Sequence, residues 1–460
     1  MTNTGPGPVA GIKLRIAICG GGIGGLCLAV SLSRYAHLDI NVYESAGQFR
    51  EIGAGVMIWA RTWHILEKMG LASEFSKIAH APPTGAQGVG FDYRRSDQPC
   101  EGFRFKLVEM PYGVCFSIHN RHAVLTSDSL CQCIRFHRAE FLDVFVNHLP
   151  PGIAHFGKRL TSYSRNSNGL ISLIFNDSSS AICDVLIGAD GIKSTIRAQM
   201  YREAADTAHD QSLMRYIEPV WTGTMAYRGL VRVQDIPRNK DGSPHRTIGV
   251  PMMYCGKGRH VVSYSISQGD IVNIVTFVSQ PEKHGQHYDG EWVTNCDKQE
   301  LLDCYANWEP EVGSLLKCID KPTRWAIHHV NPLPFYHKDG VVLMGDAAHA
   351  MSPHQGAGAG QAIEDGFVLG HLLANITSKM QLFRSLDAYE AIRLPTANSV
   401  VNGSYESGMM YDLISKYGDD YATLGPAIQR QWKWINEISL ETELEFASRL
   451  ARSPSPNAKL

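Results

Sequence analysis

The chain has 460 residues, 44% of them hydrophobic, enough for two or three domains around a large core. With 43 Lys plus Arg against 45 Asp plus Glu, it offers no electrostatic reason to expect nucleic acid or an acidic membrane surface as partner, and a small molecule fits better. The opening MTNTGPGPVAGIK is too polar for a secretory signal, no later stretch reaches the ~20 apolar residues of a spanning helix, and the eleven cysteines lack zinc-ligand spacing. A cytoplasmic protein with reduced thiols, no metal and no membrane partner is expected.

The first ordered stretch, LRIAICGGGIGGLCLAVSLSRYAHLDINVYES, reads as a βαβ unit. A buried strand is expected over 14–19, a helix of small and apolar residues over 24–33, and a second strand over 40–43. Between them lies Gly20-x-Gly22-x-x-Gly25, with Gly24 inside the helix start, and Glu44 follows 24 residues after Gly20. Gly20 permits the tight turn, Gly22 lets backbone approach a pyrophosphate, Gly25 lets helix and strand pack closely, and Glu44 can accept hydrogen bonds from a ribose. Phosphate charge would sit on the helix N-terminus.

Further along, CDVLIGADGIKSTIR leads a buried strand into Asp190-Gly191 and a short helix carrying Ser194 and Arg197. The span 221–278 is β-rich and turn-separated, as in an antiparallel sheet that forms its own layer. GDAAHAMSPHQGAGAGQAIED, from Gly345 to Asp365, sets an acid, two histidines, a proline and four glycines before a helix. From Gln381 onward the pattern is mostly helical, with no catalytic motif.

These three separated motifs, in this order, resemble the flavin-dependent aromatic hydroxylases (class A flavoprotein monooxygenases), and within them the salicylate hydroxylase branch; the likeness extends to WTGTMAYRGLVRVQDIP, RWAIHHV and WKWINEISLETEL. The resemblance implies an α/β fold with a Rossmann-like, three-layer FAD-binding domain (1–85, 113–200 and 325–380), an inserted antiparallel β-sheet substrate domain (86–112 and 201–324) and a C-terminal helical region (381–460). It implies FAD as cofactor, held by Gly20, Gly22, Gly24, Gly25 and Glu44 at the adenine end and by Asp190 beside the pyrophosphate. Asp346 would accept hydrogen bonds from the ribityl hydroxyls, and Pro353 would line the flavin face where oxygen reacts. Gly356, Ala357, Gly358 and Ala359 would present helix amides to the pyrimidine edge, favouring the anionic reduced ring. Gly53, Ala54 and Gly55 would approach the ring, and Arg138 would contact the cofactor. One departure stands out: FSIH, ending at His119, would join RAEFLDVF from Arg138 directly if residues 120–137 were absent, so 120–137 is read as an extra loop or a retained intron.

The reaction implied uses NADH or NADPH as co-substrate and molecular oxygen, with the ring activated as a phenolate. The single dinucleotide motif fits a nicotinamide that visits and leaves. Arg228 could pair with an anionic substrate in a bidentate fork, Tyr264 could line the same site, and His328 could handle the phenol proton. The competing readings are a salt-bridged sheet arginine, a core tyrosine and a structural histidine. His329 would face the other way on a strand, and His349 and His354 are read as anchors. The substrate implied is a small aromatic acid, salicylate going to catechol with loss of carbon dioxide. The alternatives are another hydroxybenzoate or a polyketide phenol without decarboxylation, or a flavin-binding protein inactive in oxygenation. A monomer or homodimer is expected, in the cytoplasm or, through the terminal Ala458-Lys459-Leu460, in the peroxisome.

Overall fold

The computed structural model describes residues 13–49, 55–80, 89–109, 134–239, 241–435 and 439–452. Gly53, Ala54, most of the 120–137 segment and the terminal Ala458-Lys459-Leu460 lie outside these residues.

The cofactor layer is a six-stranded sheet in the order His337–Lys338, Val341–Leu343, Val185–Gly188, Leu14–Cys19, Leu38–Tyr43, Ala154–His155. All its pairings are parallel except that of the first edge strand. The central strands are almost wholly buried, as apolar runs covered on both faces must be. The turn after the first strand depends on glycine: Gly20 has φ +115°, and a Cβ there would stand 2.0 Å from the Ala189 carbonyl oxygen. A Cβ on Gly25 would stand 2.1 Å from the Gly20 oxygen, so helix Ile23–Leu32 can press onto its own turn. The same helix crosses helix Gly358–Ala374 closely, because a Cβ on Gly24 would come within 3.0 Å of that of Ala362.

The second layer is an eight-stranded sheet in the order Val293–Asn295, Thr323–His329, Val220–Arg232, Ile271–Ser279, Arg259–Ile266, Met252–Gly256, Val89–Arg95, Phe103–Glu109. It is antiparallel except between Met252–Gly256 and Val89–Arg95. Helices Lys298–Cys304 and Pro310–Leu316 cover one face with Leu301, Val312, Leu315 and Leu316. Thr323–His329 belongs to this sheet over its whole length, so the chain returns to the cofactor layer after His329 rather than at residue 325.

The reading of 120–137 as one inserted loop needs correction at its C-terminal end. Ile134–His137 is a strand, paired antiparallel with Gly55–Ile58 and running directly into helix Arg138–Val146. The sequence offered FSIH for this place, but IRFH occupies it. Four residues with charged and apolar side chains intermixed are too short to show a period of two.

The C-terminal region is dominated by helix Lys379–Tyr411, whose 33 residues reach about 50 Å. It is anchored by a buried ionic chain. Arg393, fully buried, donates to Asp365 Oδ1 at 2.8 Å and Glu364 Oε2 at 2.9 Å. Asp365 also meets His349 Nε2 at 2.5 Å, while Arg61 bridges Glu364 at 3.0 Å and reaches Glu443 in the last helix. Burial pushes the Asp365 carboxyl toward protonation, yet His349 and Arg393 overcome it and hold the group well below the usual carboxylate range.

Removing one member of such a chain leaves uncompensated buried charge. Arg393→Met is expected to destabilise the protein by about 3–5 kcal/mol, read as a fall in denaturation midpoint. A chain lacking 120–133 is expected to keep FAD, whereas one lacking 120–137 strips Gly55–Ile58 of its partner and is expected to lose it. Flavin content after purification checks both.

Candidate active site

A cavity of about 690 Å³ runs between the two layers, from the Gly20–Gly25 loop and Glu44, past Asp190 and Asp346, to a wall of the eight-stranded sheet carrying Arg228, His260 and Phe277. Its lining reaches from the glycine loop to the eight-stranded sheet, and its two ends differ in chemistry.

At the first end, Glu44 Oε2 accepts from the Gly21 amide and Oε1 from the Ala46 amide, both at 2.7 Å, which fixes the carboxylate at the cavity edge. Gly22 caps helix Ile23–Leu32 without any side-chain hydrogen bond, and a Cβ built there would meet nothing within 4 Å. The space and the free amides of the helix start suit a pyrophosphate. Arg138 opens helix Arg138–Val146 and lines the cavity, so the segment before it does not displace it.

In the middle, Asp190 lines the cavity but also holds its own turn, accepting from Ser194 Oγ at 2.5 Å and the Ile196 amide at 3.2 Å. Burial raises its pKa. Helix Thr195–Ala208, 14 residues long and capped by Ser194, is longer than the short helix expected from the sequence. Across the cavity, Asp346 is the one exposed side chain between Val341 and Ala350. Gly345, at φ +57°, turns the chain there, and its amide donates to Asp365 Oδ2 at 2.8 Å. Pro353 is exposed toward the same space and begins a tight turn that ends at Gly356, φ +56°. Helix Gly358–Ala374 then starts with no side-chain cap, and Gly356 to Ala359 line the cavity with its amides. The open glycine loop, the exposed ribityl-side acid and the uncapped helix together fit FAD.

The far end is mostly apolar, with Phe91, Met253, Val262, Val275 and Phe277 in its wall. Arg228 stands in it with its guanidinium 5.0 Å over the Trp325 ring, and among the described residues no carboxylate pairs with it. Burial lowers its pKa. Tyr264 lines the cavity, and its hydroxyl would stand 3.0 Å from a Cβ at Gly55, so this strand and the sheet meet closely at a glycine. His328 stacks on Trp292 with ring centroids 3.6 Å apart and planes 12° apart, and Lys193 Nζ lies 4.0 Å from that ring's centroid. His328 Nδ1 is 2.8 Å from the Ala326 carbonyl, and burial lowers its pKa; a neutral ring donating there keeps Nε2 as an acceptor. His329 turns away from the cavity to His284, 3.3 Å between Nε2 atoms, and burial brings its pKa down to about 4.

Two cavity histidines were not singled out from the sequence. His354, read there only as an anchor, lines the wall, and burial holds it well below its usual pKa. His260 also lines it, with Nδ1 2.7 Å from Asp412 Oδ1. The signal for His260 was present: His260, Val262 and Tyr264 alternate along one strand and all reach the cavity, so stepping back from Tyr264 by twos finds it.

Residues 13–243 and 292–404 match the family described as FAD binding domain. The chain is 35% identical over 443 residues, 95% of its length and 95% of the relative's, to a salicylate hydroxylase of Pseudomonas putida. It is 33% identical over 432 residues, 92% of its length and 89% of the relative's, to a 6-methylsalicylate 1-monooxygenase of Aspergillus terreus. Among solved structures, a salicylate hydroxylase substrate complex matches with a TM-score of 0.80 at 31% identity, covering 96% of this chain and 99% of that one. Because agreement of this extent takes in both the cofactor cradle and the cavity wall facing it, the chain belongs to the FAD-binding domain family and is an FAD-dependent aromatic-ring monooxygenase similar to salicylate hydroxylase.

Proposed function

We propose that the protein hydroxylates salicylate or a ring-substituted salicylate at the carboxyl-bearing carbon, releasing carbon dioxide and leaving a catechol. NADH or NADPH is the reductant; one oxygen atom enters the ring and the other leaves as water. Bound FAD supplies the electron relay and the activation of oxygen.

The observation that carries this reading is Arg228, a cation in a largely apolar cavity with no carboxylate partner among the described residues. A half-buried charge in apolar surroundings without a counter-ion is costly, and an anionic ligand removes the cost. A bidentate carboxylate would be held by the planar guanidinium, leaving the ring against the apolar wall of Phe91, Met253 and Phe277. That wall also suits an alkyl substituent, in keeping with the 6-methylsalicylate relative. Neutral His328, stacked on Trp292, offers Nε2 as a hydrogen-bond acceptor at the cavity. At the other end Gly20, Gly22, Gly25 and Glu44 would hold the adenosine and pyrophosphate of FAD, and Asp346 would accept from its ribityl chain. The sheet wall and Pro353 enclose the reacting ring away from bulk water.

The direct test is a panel of hydroxybenzoates with product mass and NAD(P)H consumption measured together; a product that keeps its carboxyl group would move the assignment to a different phenol hydroxylase. Asp346→Ala is expected to weaken FAD binding about tenfold or more, the loss of hydrogen bonds to a charged acceptor, measured by flavin titration of the apoprotein. Arg228→Met is expected to raise the dissociation constant of salicylate about 10- to 100-fold with FAD retained, while the neutral analogue salicylamide binds parent and variant alike. His328→Ala is expected to lower the catechol formed per NAD(P)H consumed.

A further inference from the structure

We propose that Asp412 is a positioning residue of the hydroxylation site: its carboxylate fixes the ring of His260 so that Nε2 is presented to the substrate phenol and can take its proton. The inference rests on the proposed function and extends it to a residue in the C-terminal region, which carries no motif of its own.

Asp412 is the residue immediately after the 33-residue helix Lys379–Tyr411, and it reaches the substrate sheet from outside. It is held there twice. Its side chain meets His260 Nδ1 at 2.7 Å, and its carbonyl accepts from the Gly258 amide at 2.8 Å. Both His260 and Asp412 are 1% exposed. The imidazole lies flat on Phe277, with centroids 4.4 Å and planes 17° apart, and is edged by His354 at 5.1 Å and Tyr411 at 5.5 Å. Neither rotation of the ring nor exchange of its hydrogen-bond partner with water is open to it.

The consequence for proton chemistry follows from the two ring nitrogens. With Nδ1–H donated to the carboxylate, the neutral ring carries its lone pair on Nε2, the nitrogen left for the cavity that His260 lines. In the step proposed, the phenol O–H bond breaks, its electron pair stays on oxygen as phenolate, and the proton forms a bond to Nε2. The imidazolium is then opposed by the Asp412 carboxylate, and the proton is given back to a product oxygen before release. A base ordered by a buried carboxylate in this way follows the general logic of nucleophile-activating pairs. A stabilising role alone is a weak account of the pair, because taking a carboxylate out of water carries a desolvation cost that apolar residues of the same size would not.

The test uses full-length holoenzyme. Asp412→Asn, Asp412→Glu, His260→Gln and the double variant are compared for FAD content, thermal midpoint, salicylate dissociation constant and catechol formed per NAD(P)H. The ionisation of a bound nitro-substituted salicylate, whose phenolate absorbs in the visible, is read by difference spectroscopy. Expected for Asp412→Asn are parent-like FAD content, salicylate affinity within about threefold, and a fall of about tenfold or more in hydroxylation. The phenolate band should be smaller, partly restored in Asp412→Glu. His260→Gln should lose at least as much, and the double variant should be no worse than His260→Gln alone, as for residues acting as one unit. A parent-like phenolate band and coupling in Asp412→Asn overturns the proposal, as do additive losses in the double variant. Should Asp412→Asn not fold, a parent-like phenolate band in His260→Gln overturns it equally. Failure of the parent to bind or convert any salicylate would count instead against the proposed function.

Discussion

Arg197 holds the two later motifs of the cofactor cradle in register. Its guanidinium, fully buried, donates to the carbonyls of Ile192 at 2.6 Å, Ala347 at 2.9 Å, Ile217 at 3.0 Å and Tyr216 at 3.1 Å. Among the described residues no carboxylate forms an ion pair with it, and burial lowers its pKa. A cation in such a place survives only when every donor is satisfied. Satisfying them draws three separate segments together. One carries Asp190; another carries Ala347, the neighbour of Asp346. Together with the parallel pairing of Gly188 and Leu343, this side chain helps set the spacing between Asp190 and Asp346, and the close fit of Gly20 against Ala189 fixes the N-terminal loop to the same frame.

The molecule treats charge in two opposite ways. Around Arg393 each acid has a base within hydrogen-bonding reach, from His349 through Asp365 and Glu364 to Arg61 and Glu443, and the chain of pairs ties the last helix to the cofactor layer. At Arg228, among the described residues, there is no paired carboxylate, and the guanidinium lies over the face of Trp325. The first arrangement gives rigidity, since a shift in any member would strand another. The second is the feature on which the proposed binding of an anionic substrate rests.

What the sequence made legible was local. Gly20 and Gly25 of the first loop answer to backbone contacts within the βαβ unit or at its immediate neighbour strand, and such constraints leave marks at fixed spacing. Arg228, Tyr264 and His328 could be placed on the strands of one β-rich layer, alternation separating His328 from His329, and all three line the same cavity. The strand Ile134–His137 was missed because four residues carry too little periodicity and FSIH competed for the same place. Asp412 left no mark at all: its partner is 152 residues away, and nothing in a helix end announces which sheet it will touch. The helix that delivers it even contains Pro395, which by itself argues for an interruption that the structure does not make.

That long helix has a consequence for how the protein comes into being. Helix Ile23–Leu32, made among the first residues, finds its close-packing surface on Gly358–Ala374, and His260 waits for a carboxylate that follows even later. Pairings of such sequence separation carry a large loop-closure cost and slow the search for the native state. The face of helix Ile23–Leu32 that packs on Gly358–Ala374 stays uncovered until that later helix has been made. The interval before that surface is covered is the one in which exposed apolar area makes a chain of this topology most open to aggregation.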